Sequence, residues 1–314
     1  MQRSEWVNKE GKLKRFGLTS THRTDPDGDS PITTLNYQLS PAIQRGFTER
    51  VELLLNHGAD AANRDEWYGG GTHVEEALKV GEGGILDFLV QHGAPEPELT
   101  PDDRYRIAVM QGDEAEARRC LETDPDLSDQ TDLLVTAAHH GRLEAVRLLI
   151  DLGADPNQQA ANGRGAMHEA AWAGQENVVR LLLNRNARCD IRTEAHGGTP
   201  AGYANHAGRL DLRDTILEHS NDAFDLVRFG KHDRLRNILA SEPSQATAVL
   251  PDGRTPLHSL QSNEGDSAVV LDLLLESGAD IHAEAEGEVT PLSSALERGD
   301  ESAADLLRER GASR

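Results

Sequence analysis

The chain has 314 residues and a formal net charge of −22 at pH 7, because 54 aspartate and glutamate residues outnumber 32 lysine and arginine residues. A field of this sign repels DNA, RNA and anionic lipid and favours basic partners, so nucleic-acid and membrane binding are not expected. No stretch approaches 18 consecutive apolar residues, which argues against a membrane-spanning helix. Two cysteines are too few for a disulfide framework, so we expect a reducing, cytoplasmic setting.

Residues 1–26 differ from the rest of the chain. They carry an excess of basic residues, lack the apolar run of a secretory signal and do not fit the repeat described below, so we interpret them as an N-terminal extension or cap. Three residues around the boundary of this segment match the first three ligand positions of a calcium loop: Asp25, Asp27 and Asp29. The sixth and twelfth positions, glycine and glutamate in such loops, are Ser30 and Asn36 here, which favours a plain turn.

From residue 27 onwards the sequence repeats itself. The stretch AAHHGRLEAVRLLIDLGADPN, from Ala137, aligns without a gap with AAWAGQENVVRLLLNRNARCD, from Ala170, 33 residues later. A glycine after the small residues marks nine such units: Gly46, Gly81, Gly112, Gly141, Gly174, Gly208, Gly230, Gly265 and Gly299. Consecutive glycines are 29 to 35 residues apart, except for 22 residues between Gly208 and Gly230.

Each unit is predicted to be a pair of helices. Small residues such as Ala137 allow the first helices of neighbouring units to approach closely, and the marker glycine then reverses the chain in the left-handed conformation. The second helix has an apolar face and ends at another glycine, which Asn186 replaces in one unit. Thr255 is predicted to cap a further first helix, with Pro256 as its first residue. Stacked units of this kind share one continuous core.

These units resemble the ankyrin repeat. The T-P-L-H element of that family is intact at 255–258, and its G-A-D-x-N ending is intact at 153–157. The resemblance covers residues 27–314 and implies an all-α solenoid of helix–turn–helix units with short β-hairpin fingers. It also implies a partner-binding concave face made by the fingers and first helices, usually without catalysis or a cofactor.

The departures from the family pattern suggest how the repeats are grouped. About eight extra residues precede Ala42 in the first unit, which predicts an insertion at TTLNYQL. The 22-residue spacing leaves no room for a finger, so we expect six repeats over 27–220 and three over 221–314, joined by a short fingerless connection. Two units, near Cys120 and Leu239, replace the G-A-D ending with an acidic, proline-containing segment where the stack could bend.

The paired histidines His139 and His140 occupy the two positions between the small residues and the glycine, which the repeat leaves free. They are neighbours on a helix and point in different directions, and His206 is two repeats away from His139, so a shared metal is not favoured. We expect His139, Trp172 and His206 to form a stripe on the concave face, about 10 Å apart in successive units. Other large or charged residues at free positions complete the predicted partner-binding set: Trp67, Tyr68, Glu76, Glu169 and Tyr203.

Other chemical motifs are incomplete. His168 and His258 stand at the histidine position of T-P-L-H, where the resemblance implies a buried hydrogen bond, and HEAAW lacks the second histidine of a zinc protease motif. The glycines of EWYGGGTH have no following Lys-Ser/Thr, so a phosphate loop is not favoured, and Cys120 aligns with a core leucine.

These observations predict a non-catalytic module that binds a basic protein through its concave face and fingers. Two alternatives stay open. The acidic chain could inhibit a DNA- or RNA-binding protein by imitating nucleic acid, or the central histidines could serve a metal protein or an enzyme.

Overall fold

The computed structural model describes residues 31–63, 71–128, 131–193, 197–262 and 266–313, with side chains from residue 35 onwards in the first helix. In this part of the chain there are 17 α-helices, and β-pairing is confined to two isolated antiparallel bridges, Gln159 with Gly165 and Ala285 with Val289. The fold is therefore the predicted all-α ankyrin solenoid. Residues 1–26, the plain turn expected at Asp25–Asp29, Trp67 and Tyr68 lie outside the described residues.

The chain divides into two compact units after Asp155. The first contains α1 (Pro31–Gln44), α2 (Thr48–Asn56), α3 (His73–Val80), α4 (Gly83–Gln91), α5 (Pro101–Gln111), α6 (Glu114–Thr123), α7 (Thr131–His139) and α8 (Leu143–Asp151). The second contains α9 (Ala166–Ala173), α10 (Glu176–Asn184), α11 (Pro200–His206), α12 (Leu210–His219), α13 (Ala223–Arg228), α14 (His232–Ser241), α15 (Ser267–Glu276), α16 (Pro291–Glu297) and α17 (Glu301–Glu309). The residues predicted to be inserted at TTLNYQL lengthen α1 to 14 residues.

The helices begin and end at the residues that the repeat pattern predicts. The hydroxyl of Thr72 accepts a hydrogen bond from the backbone N–H of Glu75, and the Glu75 carboxylate accepts one from the backbone N–H of Thr72. Thr290 and Ser293 form the same reciprocal pair. At the end of a second helix, Asn186 has a φ of +58° and so replaces glycine in the left-handed position as expected.

The core of each unit consists of aliphatic and small side chains. In α7, Ala137 and Ala138 are completely buried, and so are Ala170 and Ala171 in α9. Because these methyl groups fill little space, each first helix can pack closely against its neighbours. The second helices add leucines and valines such as Leu149, so a stack with few aromatic residues still has a continuous core.

The two acidic, proline-containing segments form 3₁₀ turns. Pro125–Ser128 follows α6, and Pro243–Thr247 follows α14. Within the described residues, these turns stand where other repeats have the glycine that ends the second helix.

The prediction that Thr255 and Pro256 begin an α-helix is wrong in one respect, because Pro256–Ser259 is a single 3₁₀ turn. Its carbonyl groups are taken by the next repeat, since Arg298 donates to the backbone oxygens of His258 at 2.9 Å and Leu260 at 2.6 Å. The backbone N–H of Ser262, which an α-helix would direct to His258, donates to Asp300 instead.

The short spacing near residue 220 corresponds to a direct connection between two helix pairs. Only three residues, Ser220, Asn221 and Asp222, separate the end of α12 from the start of α13. This place is called the fingerless junction below. The division predicted from the sequence at 220/221 falls at this junction. The two compact units of the structure divide elsewhere, after Asp155. The grouping into six and three repeats stays a prediction.

Candidate protein-binding site

Three aromatic side chains in the second unit form an exposed cluster on the first helices α9 and α11. Trp172 keeps 38% of its surface exposed, and its ring is stacked on that of His206, with centroids 5.5 Å apart and an interplanar angle of 18°. The ring of Tyr203 meets Trp172 edge-on at 6.1 Å. The predicted neighbours Trp172 and His206 are thus in direct contact, closer than the 10 Å expected from helix spacing, because both side chains lean toward each other.

The finger that precedes α11 packs against the cluster. Tyr203 lies edge-on to the buried His168 ring, with centroids 5.3 Å apart. It also packs on the hairpin, since a Cβ added to Gly198 would lie 2.8 Å from its ring. The finger and the two helices therefore hold the aromatic rings in place, which reduces the entropy lost when a partner binds.

His168 fixes that finger to α9. Its Nδ1 accepts a hydrogen bond from the backbone of Gly165, and its Nε2 lies 3.0 Å from the carbonyl oxygen of Ile191 and 3.2 Å from that of Gly198. His258 repeats the arrangement with Thr255 and with the carbonyl oxygen of Val289. Both histidines are buried and hydrogen-bonded as the resemblance implied, and burial lowers the pKa of each.

Two glutamates of the predicted binding set are buried and bonded within the protein. In the first unit, the Glu76 carboxylate accepts hydrogen bonds from the Ser40 hydroxyl and, at 3.1 Å, from Gln44. In the second unit, Glu169 is paired with Arg164 at 2.8 Å. Glu76 is thus bonded to side chains of α1, and Glu169 to an arginine five residues before it in the chain. Their role in binding stays a prediction.

His139 lies in the first unit, at the end of α7. It is half-buried and meets His140 edge-on, with ring centroids 5.4 Å apart. Because Trp172 belongs to the other unit, the continuation of the stripe from His139 to Trp172 stays a prediction. Trp67 and Tyr68 also stay predictions.

A shallow groove of about 450 Å³ crosses the first helices of the first unit. It is lined by four carboxylate groups and two cationic groups: Glu75, Asp102, Asp103, Asp132, Lys79 and Arg106. Two of the carboxylates also cap helices, and Asp102 is paired with Arg106 at 2.8 Å. The groove is therefore acidic on balance and rigidly built.

The sequence reading missed a buried acidic pair at the fingerless junction. Asp222 caps α13, and Asp225 follows it by three residues, so the pair stands where Thr and His stand in T-P-L-H. Aligning SNDAFD with that element would have exposed the substitution. The finger side chain Arg192 binds Asp222 at 2.5 Å.

Other reactive groups in the described residues are few. No group of three or more histidine, cysteine, aspartate and glutamate side chains in this part of the chain is arranged to hold a metal ion. Cys189 is buried, which raises the pKa of its thiol to about 12. Cys120, predicted to be a core residue, is half-buried, and burial raises its pKa as well. None of the described helices is both long and apolar enough to cross a membrane.

Comparison with known families agrees with this architecture. A family model described as "Ankyrin repeats (3 copies)" matches residues 106–195 and 134–228, and a single-repeat ankyrin model matches residues 252–285. The protein is a repeat solenoid, and the chain belongs to the ankyrin repeat family.

Curated relatives match this chain over part of their own length. The chain is 31% identical over 170 residues to the ankyrin repeat protein nuc-2 of Neurospora crassa, which is 50% of this chain and 16% of that protein. It is 35% identical over 199 residues to the potassium channel KOR2 of rice, 59% of this chain and 27% of the channel. It is 38% identical over 80 residues to protein PhlB of Serratia liquefaciens, 26% of this chain and 35% of PhlB. The chain thus spans about a third or less of the length of these relatives.

One solved structure resembles part of the chain. A chain from the complex of the Bd0816 predatory endopeptidase of Bdellovibrio bacteriovorus with immunity protein Bd3460 aligns with a TM-score of 0.39 and 21% identity. The alignment covers 56% of this chain and 97% of that chain.

Proposed function

We propose that this chain is a non-catalytic module that binds a basic protein partner through its first helices and fingers, in a cytoplasmic setting. The observation that carries the proposal is the exposed stack of Trp172 on His206. Tyr203 contacts Trp172 edge-on and packs against the finger. Ankyrin repeats generally mediate protein–protein interaction, which is the coarser form of the same statement.

The aromatic cluster has the properties of an interface anchor. Tryptophan and tyrosine bury a large area with few rotatable bonds, and they are enriched among residues that dominate binding energy. A stack that is already formed in the free protein keeps most of its binding surface in place. Trp172, Tyr203 and His206 are therefore the contact residues of the proposal, with His139, Trp67 and Tyr68 as further candidates.

Charge supports the choice of a basic partner. The net charge of −22 speeds encounter with cationic surfaces, and the acidic groove of the first unit can receive lysine or arginine side chains. Residues 156–250, which include the aromatic cluster, contain eleven basic and eleven acidic residues, so binding at the cluster itself depends on packing more than on charge.

The proposal is tested by capturing partners from the native lysate on the immobilised chain and measuring the affinity of each identified partner for variants. Trp172→Ala combined with His206→Ala should lower that affinity at least tenfold, about 1.4 kcal/mol, without lowering the melting temperature. Leu210→Ala is the matched control, because Leu210 is also an exposed apolar residue but lies on the second helix α12. Equal affinity of the aromatic variant and the control would overturn the assignment.

The alternative function, an acidic inhibitor that imitates nucleic acid, is distinguished from the aromatic-anchored interface by how the affinity for the partner depends on salt. If charge dominates the complex, the affinity should fall steeply between 50 and 200 mM salt, by a factor of about 10³ or more for six or more ion pairs. The aromatic anchor predicts a much smaller loss over the same range. The large net charge is the observation that favours this second function.

A further inference from the structure

The fingerless junction differs chemically from the other repeat boundaries of the second unit. At the regular boundaries, a neutral histidine three residues after the cap, His168 or His258, donates to the backbone of the following finger. At the junction that position is Asp225, and the capping position is Asp222. Two acidic groups thus replace a hydroxyl or glycine and an imidazole, at a place where no finger precedes the helix.

The Asp222 carboxylate has strong partners for both of its oxygens. Its Oδ1 accepts a hydrogen bond from the Asp225 backbone at 2.9 Å, and its Oδ2 accepts one from Arg192 Nη2 at 2.5 Å. Arg192 also donates to the Gly197 carbonyl and lies over the Phe224 ring at 5.2 Å. This guanidinium is therefore committed to Asp222 and to the finger that carries it.

The Asp225 carboxylate is only 5% exposed and has a weaker set of partners. Its Oδ2 accepts a hydrogen bond from the hydroxyl of Thr199, the residue that caps α11. On its own helix, the cationic group near it is Arg228, which is exposed and lies over the Phe229 ring at 5.2 Å. Two buried carboxylates thus share one closely bound cation, Arg192.

The cations of the other described elements packed against α13 are bonded elsewhere. From α12, Arg213 lies over the Phe229 ring at 4.9 Å and donates to Asp214 and Asn205. From α14, Arg234 donates to the Ser220 carbonyl and the Asn221 side chain. From the 3₁₀ turn Pro256–Ser259, the ring of His258 is occupied by Thr255 and Val289, and Arg298 is bound to carbonyl groups of that turn.

We propose that the fingerless junction is a pH-sensitive joint, in which Asp225 is protonated beside the charged Asp222 carboxylate when α13 is docked, and α13 loosens when both carboxylates are charged. Burial of two like charges beside one cation disfavours the doubly ionised state. The consequence is a repeat boundary that tightens on mild acidification and opens on alkalinisation, independently of whether the aromatic cluster binds a partner.

The titration of Asp225 supports the direction of this effect. Burial and the neighbouring Asp222 raise its pKa, and they outweigh the Thr199 hydrogen bond and the charges of Arg192 and Arg228, which lower it. A carboxyl whose pKa is raised in the folded state contributes stability that is present below its ordinary pKa and lost as the pH rises through the raised value. Opening of the junction should therefore increase with pH by up to about tenfold per unit, since one proton is released.

The test is amide hydrogen exchange of the full chain between pH 5 and 8, corrected for intrinsic exchange and read in peptides from 199–232 and, as an internal reference, from α8. In the wild type, opening of 199–232 should increase with pH up to the raised pKa of Asp225, about 6, and level off above it, relative to the reference. Asp225→Asn should abolish that increase. Asp233→Asn is the matched control, because it removes an exposed aspartate of α14 and should leave the increase unchanged.

A second pair of variants keeps the proposal testable if Asp225→Asn does not fold. Thr199→Ala removes the hydroxyl that stabilises the charged form of Asp225, so the pH at which the junction opens should rise, whereas Thr199→Ser should restore the wild-type value. A flat wild-type profile, an unaltered profile in Asp225→Asn, or a transition in Thr199→Ala that does not move would each overturn the proposal.

Discussion

The imidazole Nε2 of His168 lies 3.0 Å from the carbonyl oxygen of Ile191, and the second unit repeats this bond between His258 and Val289. Each bond ties a first helix to the finger that follows it. Because the histidine Nδ1 also accepts a hydrogen bond from the backbone at the start of its own helix, one neutral ring satisfies buried groups on two elements.

Replacing His168 and His258 with Gln together should lower stability by about 1–3 kcal/mol for each buried bond that is lost, as measured by urea unfolding at pH 7.5. The pKa of both rings is lowered by burial, so their contribution is present above the ordinary pKa of about 6.5 and lost as the pH falls through the folded value. The urea midpoint of the wild type should therefore fall more between pH 7.5 and 5.5 than that of the double variant.

The control for this comparison is a histidine with an exposed side chain. His282 is exposed, and its imidazole is not part of any finger bond, so His282→Gln should follow the wild-type pH dependence. If the double variant also followed the wild type, protonation of the buried rings would not be the cause.

Much of this fold was predictable because the repeat places its core, capping and turn residues at fixed intervals along the chain. The glycine spacing predicted the helix pairs, and the change at Asn186 predicted a left-handed residue that is present at φ +58°. The same frame placed Trp172 and His206 on adjacent first helices, where their rings are now seen in contact.

The features that were not predicted depend on contacts between repeats. Glu76 stands at a position that the frame leaves free, but Ser40 and Gln44 of α1 bind its carboxylate. Likewise, the turn after Pro256 stops because Arg298 and Asp300 take its backbone groups. The repeat pattern in the sequence gives the position of a residue in the stack. It does not show which side chain of another repeat contacts that residue, and the features above depend on those contacts.

A second prediction concerns Arg142, which joins two earlier repeats of the first unit. Its guanidinium donates to the buried carboxylate of Glu82 and to the Gly46 carbonyl oxygen. Arg142→Met should cost about 1–2 kcal/mol of the free energy of unfolding, less than the roughly 3–5 kcal/mol of a fully buried pair, because the arginine side chain is partly exposed.

Two further variants separate the charge from the packing. In the Arg142→Met background, Glu82→Gln should recover part of the loss, since it removes the unpaired buried charge. Arg147→Met is the control on the same helix: its pair with Glu144 is exposed, so it should change stability by less than about 0.5 kcal/mol. Additive losses for Arg142→Met and Glu82→Gln would show that the two residues are not coupled.

A third prediction compares two glycines with the same backbone requirement. Gly81 has a φ of +73°, and an added Cβ would lie 2.7 Å from Met110 Cγ and 2.8 Å from the Arg106 carbonyl oxygen. Gly93 has a φ of +98° and no atom within 4 Å of that position. Gly93→Ala should cost about 1–2 kcal/mol for the left-handed backbone alone, and Gly81→Ala at least about 1 kcal/mol more. Equal losses in thermal unfolding would show that the helices near Gly81 can separate freely.

The last prediction concerns the two thiols. Burial raises the pKa of Cys189 to about 12 against an ordinary value of 9.0, so its thiolate fraction at pH 8 is smaller by about a thousandfold. In a Cys120→Ser variant, the remaining Cys189 should react with a disulfide reagent at pH 8 about a thousandfold more slowly in the native protein than in urea. A Cys189→Ser variant should react at an intermediate rate, because Cys120 is only half-buried. Rapid native reaction of Cys189 would mean that the turn after α10 opens far more often than the rest of the stack, since only opening can expose and ionise that thiol.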